Sequence, residues 1–308
     1  MIEYIQERKN GVMKIGIIGG SGLYSINQLK DVKEILIGTP FGKPSDRLIY
    51  GTLNDVELFF LPRHGRNHSI MPGELNHRAN IHAMKQLGVT HIVSISAVGS
   101  LKEELRPRDI VVVDQYFDRT KNHEHTFFGN GAVAHVQMAD PVCSELAQVI
   151  IRAARKAIDA GGLTGEDKPV VHESGTYVNM EGPAFSTRAE SNVYRSWGMD
   201  IIGMTNLAEA KLAREAEIAY CTVAMVTDYD CWHEVHESVS IDMVIANLNA
   251  NAALAQNLIS ELTIMASEIP VKCSCHEALR CALITPAHAI PEETLVKLDL
   301  LIGKYIKE

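Results

Sequence analysis

The chain of 308 residues has no excess of positive charge and few aromatic residues. It also has no apolar run approaching the roughly 20 residues that span a bilayer. A formal net charge of −9 leaves no basic stripe to displace counterions from a phosphate backbone, which argues against nucleic acid as a partner. The first ten residues, Met1-Ile2-Glu3-Tyr4-Ile5-Gln6-Glu7-Arg8-Lys9-Asn10, carry charges where a signal peptide needs an apolar region. The expectation is a soluble, cytoplasmic protein with no membrane partner. No two of the six cysteines form a Cys-x-x-Cys pair, so a zinc ribbon or thioredoxin-type site is disfavoured. Free thiols are expected in a reducing compartment, with a strained disulfide in Cys273-Ser274-Cys275 as the alternative.

What is present points to an α/β enzyme. Hydrophobic residues make up 46% of the chain and aromatic ones only 6%, while Gly, Ala, Val and Ile are abundant. Apolar β-rich runs alternate with helical patterns. Strands are expected at Lys14–Ile18, Glu57–Leu61, Ile92–Ser96, Ile110–Val113 and Ala219–Val226, with an extended stretch over Val170–Val178. Helices are expected over 74–87, Glu145–Ala160 (closed by Gly161-Gly162) and Thr187–Trp197. A long helix capped by Ser240 follows, with Ile241, Val244, Ile245, Leu248 and Ala252 at helical spacing. A turn is expected at Ala97-Val98-Gly99-Ser100. The only composition breaks, the loop at 119–131 and the region after Pro270, are too small for a domain boundary. One α/β domain over 14–308 is therefore expected, preceded by an extension over 1–13, with functional loops at strand ends.

Three constellations carry chemistry. Gly19-Gly20-Ser21-Gly22 follows the first strand, and backbone amides in such a turn, with the Ser21 hydroxyl, suit phosphate oxygens. A dinucleotide fingerprint would need glycine at the position held by Ser25, and a P-loop lysine is missing. Arg63-His64-Gly65-Arg66-Asn67-His68 begins where a strand stops, and arginine suits a bidentate phosphate contact. Thr227-Asp228-Tyr229-Asp230-Cys231-Trp232 ends an otherwise apolar strand, and alternation places both aspartates on one side. A carboxylate accepts from the exocyclic amine of adenine, and a protonated one donates to N7; burial favours the protonated form. Metal chemistry finds little support: His233-Glu234-Val235-His236 is one residue short of H-E-x-x-H, and His123-Glu124-His125 lacks an evident third ligand.

From about Lys14 to Ile269 the chain resembles the methylthioadenosine phosphorylases of the trimeric purine nucleoside phosphorylase branch. The resemblance rests on ordered blocks: Gly16 to Leu23, Thr39 to Asp46, Arg63 to Arg66 with Met71-Pro72, Glu181 to Ser191, Gly203-Met204-Thr205 and Thr227 to Trp232. It implies a single-domain α/β fold with a mixed, twisted sheet and partial barrel flanked by helices. It also implies a homotrimer or dimer of trimers, with phosphate as co-substrate and no cofactor or metal. Ser21, Arg63, His64, Ser96, Ala97 and Thr205 are thereby assigned to phosphate and Met204 to the ribose. Phe185, Ser186, Asp228 and Asp230 are assigned to the base, and Ile241, Val244 and Ile245 to the 5′ substituent. His135 is assigned to the neighbouring subunit's site. Asp228, Asp230 and His64 are the expected catalytic residues.

Substrate choice follows from two positions. Similar enzymes acting on 6-oxopurines carry Glu in place of Ser186 and Asn in place of Asp228. Adenine has an amino group at C6 and no proton on N1, so those groups would be left unpaired, whereas Ser186, Asp228 and Asp230 suit a 6-amino purine. The expected reaction is phosphate attack at C1′ of methylthioadenosine, with Asp228 assisting the base at N7. The alternatives are a broader or 6-oxopurine phosphorylase, a dinucleotide-binding oxidoreductase and a non-catalytic nucleoside-binding protein. Val98 and Asn206-Leu207 depart from the family pattern, and the Cys273-Ser274-Cys275 tail is similar to microbial relatives that form disulfides.

Overall fold

The structure, a computed structural model, describes residues 12–20, 23, 26–233 and 241–306, with the backbone alone at 166 and 241–245. The first half builds β1 (Lys14–Gly19), β2 (Lys30–Ile35), β3 (Leu48–Leu53), β4 (Val56–Pro62), α1 (His77–Gln86), β5 (His91–Ser100), β6 (Ile110–Val112), β7 (Gln115–Arg119) and α2 (Ser144–Ala160). The second half adds β8 (Val171–His172), β9 (Thr176–Met180), α3 (Arg188–Ser196), β10 (Ile201–Gly203), α4 (Asn206–Glu215), β11 (Ala219–Asp228), α5 (Ile241–Ile264) and α6 (Glu292–Ile306). None of the described helices is long and apolar enough to cross a membrane.

The eleven strands form one mixed sheet. At its centre β4, β1, β5 and β11 run parallel, and each is a nearly continuous apolar run because helices cover both faces. One face packs Ile15, Ile17, Phe60 and Val93 against α2 and α5 through residues such as Val149, Ile150, Leu258 and Leu262. The other packs Ile18, Phe59, Leu61 and Ile92 against α1, α4 and α6 through Met84, Leu212 and Leu301. The sheet does not close into a barrel. It branches at β5, which pairs with β1, with β11 and, at its last residues, with β10.

The long apolar strands and α2 lie where periodicity places them. One expectation is corrected, and two stretches gain detail. Ala97–Ser100 is not a turn: β5 runs on through it and holds β11 as far as Gly99 opposite Asp228. The extended stretch over 170–178 is two strands, β8 and β9. The region after Pro270 contributes α6, whose Leu298, Leu301 and Ile302 complete one core. The Ser240 cap falls outside the described residues.

Candidate active site

Parallel strands bring their C-terminal ends to one edge, where open α/β sheets bind ligands. There β4 delivers Arg63 and His64, β5 delivers Ser94 to Gly99, β11 delivers Asp228, and the β10–α4 junction delivers Met204 and Thr205. The loop after β9 closes the same edge, since the Cys231 thiol donates to the Ser186 carbonyl at 3.3 Å. A Cβ on Gly182 would lie 2.7 Å from Met204 Sδ and 3.4 Å from Pro72 Cγ, so three segments meet at that glycine, whose φ of +70° also favours it.

Arg63 is 3% exposed, not a solvated cation. Its Nε donates to Glu209 Oε1 at 2.5 Å, and Nη2 donates to Ser94 Oγ at 2.6 Å and to Glu209 Oε2 at 3.3 Å. Nη1 donates to the Ile95 carbonyl at 3.3 Å, which uses four of the five guanidinium N–H groups. Burial opposes charge on both side chains, but each offsets it for the other, so Arg63 stays protonated and Glu209 ionised. Ser94 Oγ donates to Glu209 at 2.6 Å and accepts from Asn206 Nδ2 at 2.9 Å. Asn206 reaches on to Thr222 at 3.1 Å, and the Tyr220 hydroxyl donates to Glu209 at 2.9 Å. Such a network fixes the guanidinium and leaves one N–H over instead of presenting a mobile positive charge.

His64 is not a cation. Its Nδ1 lies 2.8 Å from the Ile70 carbonyl, which only accepts, so Nδ1 carries the proton and Nε2 is left as an acceptor. Burial, with Arg63 adding to it, pushes the imidazole down to about 4, so at neutral pH the ring is uncharged. Ser96 and Thr205 are buried beside this corner, and Thr205 precedes the N-terminus of α4, the positive end of the helix dipole.

The aspartates form the second corner. Asp228 Oδ2 accepts from the Thr227 hydroxyl at 2.6 Å and Oδ1 from the Asp230 amide at 2.8 Å. The amide can turn back because Asp230 has φ of +52°, a left-handed conformation that aspartate tolerates. Burial raises both carboxyl pKa values, and for Asp230 the Asp228 charge adds to the rise. Gly99 lies directly against them: a Cβ there would be 3.2 Å from Asp228 Oδ1 and 3.4 Å from Asp230 Cβ. Asn247 and Asn251 of α5 donate to the Thr227 and Val226 carbonyls at 2.8 and 3.0 Å, pinning the strand end. Ser96 and Gly99 are three residues apart on β5, about 10 Å, which leaves room for a sugar between an anion and a base.

Arg63, His64, Ser96, Thr205, Met204, Ser186, Asp228 and Asp230 thus share one edge of the sheet. Ala97 is exposed on β5 beside them. Phe185 is 84% exposed, and His135 is exposed on the strand-like segment whose amide donates to the Ala282 carbonyl at 2.9 Å. Ser21 lies outside the described residues, as do the side chains of Ile241, Val244 and Ile245. Sequence reasoning missed Glu209, Ser94 and Thr227 as supports of the site. Glu209 did leave a signal: it is a carboxylate between Ala208 and Ala210, on a helix whose Leu207, Leu212 and Ala213 are buried with it.

The superfamily profile described as the phosphorylase superfamily matches residues 14–263. The chain belongs to the phosphorylase superfamily.

Within the superfamily it is 54% identical to the S-methyl-5′-thioadenosine phosphorylase of Geobacter sulfurreducens, over 95% of this chain and 99% of the relative. It is 55% identical to the enzyme of the same name from Koribacter versatilis, over 96% and 97%. Among solved structures, a methylthioadenosine phosphorylase from an antarctic soil metagenomic library superposes with a TM-score of 0.88 at 51% identity, covering 95% of this chain and 99% of the other. The Schistosoma mansoni methylthioadenosine phosphorylase in complex with adenine gives 0.80 at 38% identity, covering 88% and 99%.

Proposed function

We propose that this site cleaves 5′-methylthioadenosine with inorganic phosphate, releasing adenine and 5-methylthioribose 1-phosphate. The observation that carries this reading is the pair of half-buried aspartates, Asp228 and Asp230, at the end of β11 with Ser186 in the adjoining loop. The names of the relatives from Geobacter and Koribacter, and the adenine held by the Schistosoma enzyme, support the same reaction.

Phosphate sits between Arg63, His64, Ser96, Ala97 and Thr205, with the Ser21 turn closing the site. The last Arg63 N–H donates to one phosphate oxygen, and neutral His64 accepts from the phosphate hydroxyl at Nε2. The anion lies below the ribose, which rests on Met204, and stabilises the positive charge developing at C1′. Asp228, whose protonated form burial favours, donates to N7 so that adenine leaves neutral. Asp230 and Ser186 pair with the remaining base edge, and Phe185 covers the ring. Phosphate then bonds to C1′ from the opposite face as the glycosidic bond breaks, inverting that carbon. Positioning and electrostatics carry the rate in this reading, with phosphate as a co-substrate and no resident cofactor or metal. Ile241, Val244 and Ile245 form the apolar pocket for the methylthio group.

The functional unit in this reading is a homotrimer. Phe117 on the edge strand β7 packs on Trp197 at 5.5 Å between ring centroids, and both rings are exposed in the single chain. A partner covering this apolar edge also brings its own His135 to the site.

The test is base release from methylthioadenosine, adenosine, inosine and methylthioinosine, with and without phosphate. Adenine is expected from methylthioadenosine only when phosphate is present, and Asp228→Asn is expected to lower its kcat by about 10²–10⁴-fold. Preference for the inosine compounds overturns the base assignment, and full activity of the variant overturns the proton donor.

A further inference from the structure

Three of the six cysteines, distant in sequence, come together on the side of the molecule where α2 starts. Cys143 immediately precedes α2, and its amide donates to the Tyr220 carbonyl of β11 at 2.9 Å. Cys273 caps the short 3-10 turn Ser274–Glu277 and Cys275 sits on it, in the segment that leads to α6. All three sulfurs lie within 4.8 Å of one another, and the Cys143 and Cys273 sulfurs are 3.7 Å apart. Cys143 and Cys275 are buried and Cys273 is half-buried. Among the described residues this is the only group of three or more such ligands that converges in this way.

The spacing is informative. A disulfide would draw two of these sulfurs to about 2.05 Å. Four ligands around zinc, with Zn–S bonds of ~2.3 Å at tetrahedral angles, hold their sulfurs about 3.8 Å apart. The observed 3.7 Å matches the second arrangement.

A nitrogen ligand stands at the matching distance from one of the three sulfurs, next to the group that the cysteines form but outside it. His276 Nδ1 is 3.6 Å from Cys273 Sγ, against about 3.5 Å for a sulfur and a nitrogen sharing one tetrahedral zinc. Its Nε2 lies 3.0 Å from the Thr90 carbonyl, which can only accept, so the ring proton is on Nε2 and the Nδ1 lone pair faces the sulfur side. That lone pair accepts the Cys273 amide at 3.1 Å, a weak neutral bond that a cation displaces. Glu145 Oε2 is also near, 3.8 Å from Cys143 Sγ, but it is exposed and solvated.

We propose that Cys143, Cys273, Cys275 and His276 form a structural site for a thiophilic divalent cation, zinc, separate from the phosphorolysis site. Binding replaces the thiol protons, which pass to solvent, with three Zn–S bonds and one Zn–N bond. The three thiols already converge, and a shift of the His276 ring toward Cys143 and Cys275 fills the fourth position, which closes the site to substrate as structural zinc sites are. Its effect is a staple: it ties the C-terminal segment carrying α6 to the start of α2 and, through His276 and Thr90, to the start of β5.

The test uses the full chain, expressed with zinc and purified under a phosphine reductant without chelator. Metal analysis is expected to find about one zinc per chain. Cys143→Ala and Cys275→Ala are expected to carry below about a tenth of that, while Cys281→Ala, exposed and outside the cluster, keeps the full amount. His276→Ala is expected to weaken zinc at least about tenfold. Because the cysteine variants can misfold, cobalt is also added to metal-stripped native chain. The tetrahedral visible band with thiolate-to-cobalt charge transfer is expected, together with a rise in Tm of at least about 5 °C on zinc binding. Reduced native chain that holds no zinc and gives no tetrahedral cobalt spectrum overturns the site. So does non-reduced protein whose peptide map links Cys143 to Cys273, which makes the cluster a redox pair.

Discussion

Arg63 and Glu209 show how one residue's role depends on another 146 positions away. The arginine reaches the strand ends from β4, and the glutamate locks it from α4, so the guanidinium is held within a neutral pair. Removing one partner of such a pair leaves an uncompensated buried charge, which costs about 3–5 kcal/mol. Glu209→Ala is expected to lose that much stability in urea unfolding and to raise KM for phosphate. Glu209→Gln, which keeps the shape and one acceptor, is expected to lose less. An alanine variant within about 1 kcal/mol of the parent would mean that Ser94 and Ile95 alone hold the arginine.

At the scale of elements, β5 links the two corners. Its last residues pair with β11 and β10 on opposite sides, and Gly99 is the point where the aspartates come closest to the strand. A methyl group added there would press on Asp228 Oδ1 and, at 3.1 Å, on Ile202 Cγ2. Gly99→Ala is therefore expected to displace the carboxylate by a few tenths of an ångström. The expected result is a loss of about tenfold in kcat/KM for methylthioadenosine with the fold intact, read by steady-state kinetics and circular dichroism. Unchanged kinetics would show that Asp228 tolerates the shift. The reading of Ala97–Ser100 as a turn failed here because glycine and serine signal turns locally, whereas pairing on both sides keeps the chain extended.

At the scale of the whole molecule, loops are tied to the core by buried carboxylates. Glu215, the last residue of α4, accepts from the Thr126 hydroxyl at 2.8 Å and the Phe127 amide at 2.7 Å, holding the loop at 119–131. Burial raises its pKa from 4.5 to about 7. The folded chain thus binds this proton more tightly than the unfolded chain does. The stability it adds is complete below pH 4.5 and is lost as pH rises through about 7. The loss approaches about 3 kcal/mol. Glu215→Gln is expected to remove this part of the slope, so its urea midpoint, at fixed protein concentration, falls less than the parent's from about pH 5 to pH 8. Equal slopes would show that the proton is not retained.

Periodicity and local chemistry by themselves determined the apolar strands β1, β4 and β11 and the amphipathic helix α2, because burial of a repeating face writes itself into adjacent residues. They also marked Arg63, His64, Asp228 and Asp230, because strand ends carrying charge stand out against apolar runs. They did not reveal β2, whose sequence Lys-Asp-Val-Lys-Glu-Ile is exposed at the sheet edge and has no buried face to encode. Nor did they reveal α6, which reads as a tail until the second core forms around it. The counter-ion Glu209, the neutral state of His64 and the meeting of Cys143 with Cys273 and Cys275 were decided by tertiary structure alone. Each depends on groups far apart along the chain whose distance in space is set by packing, and both Coulomb and coordination energies depend on that distance.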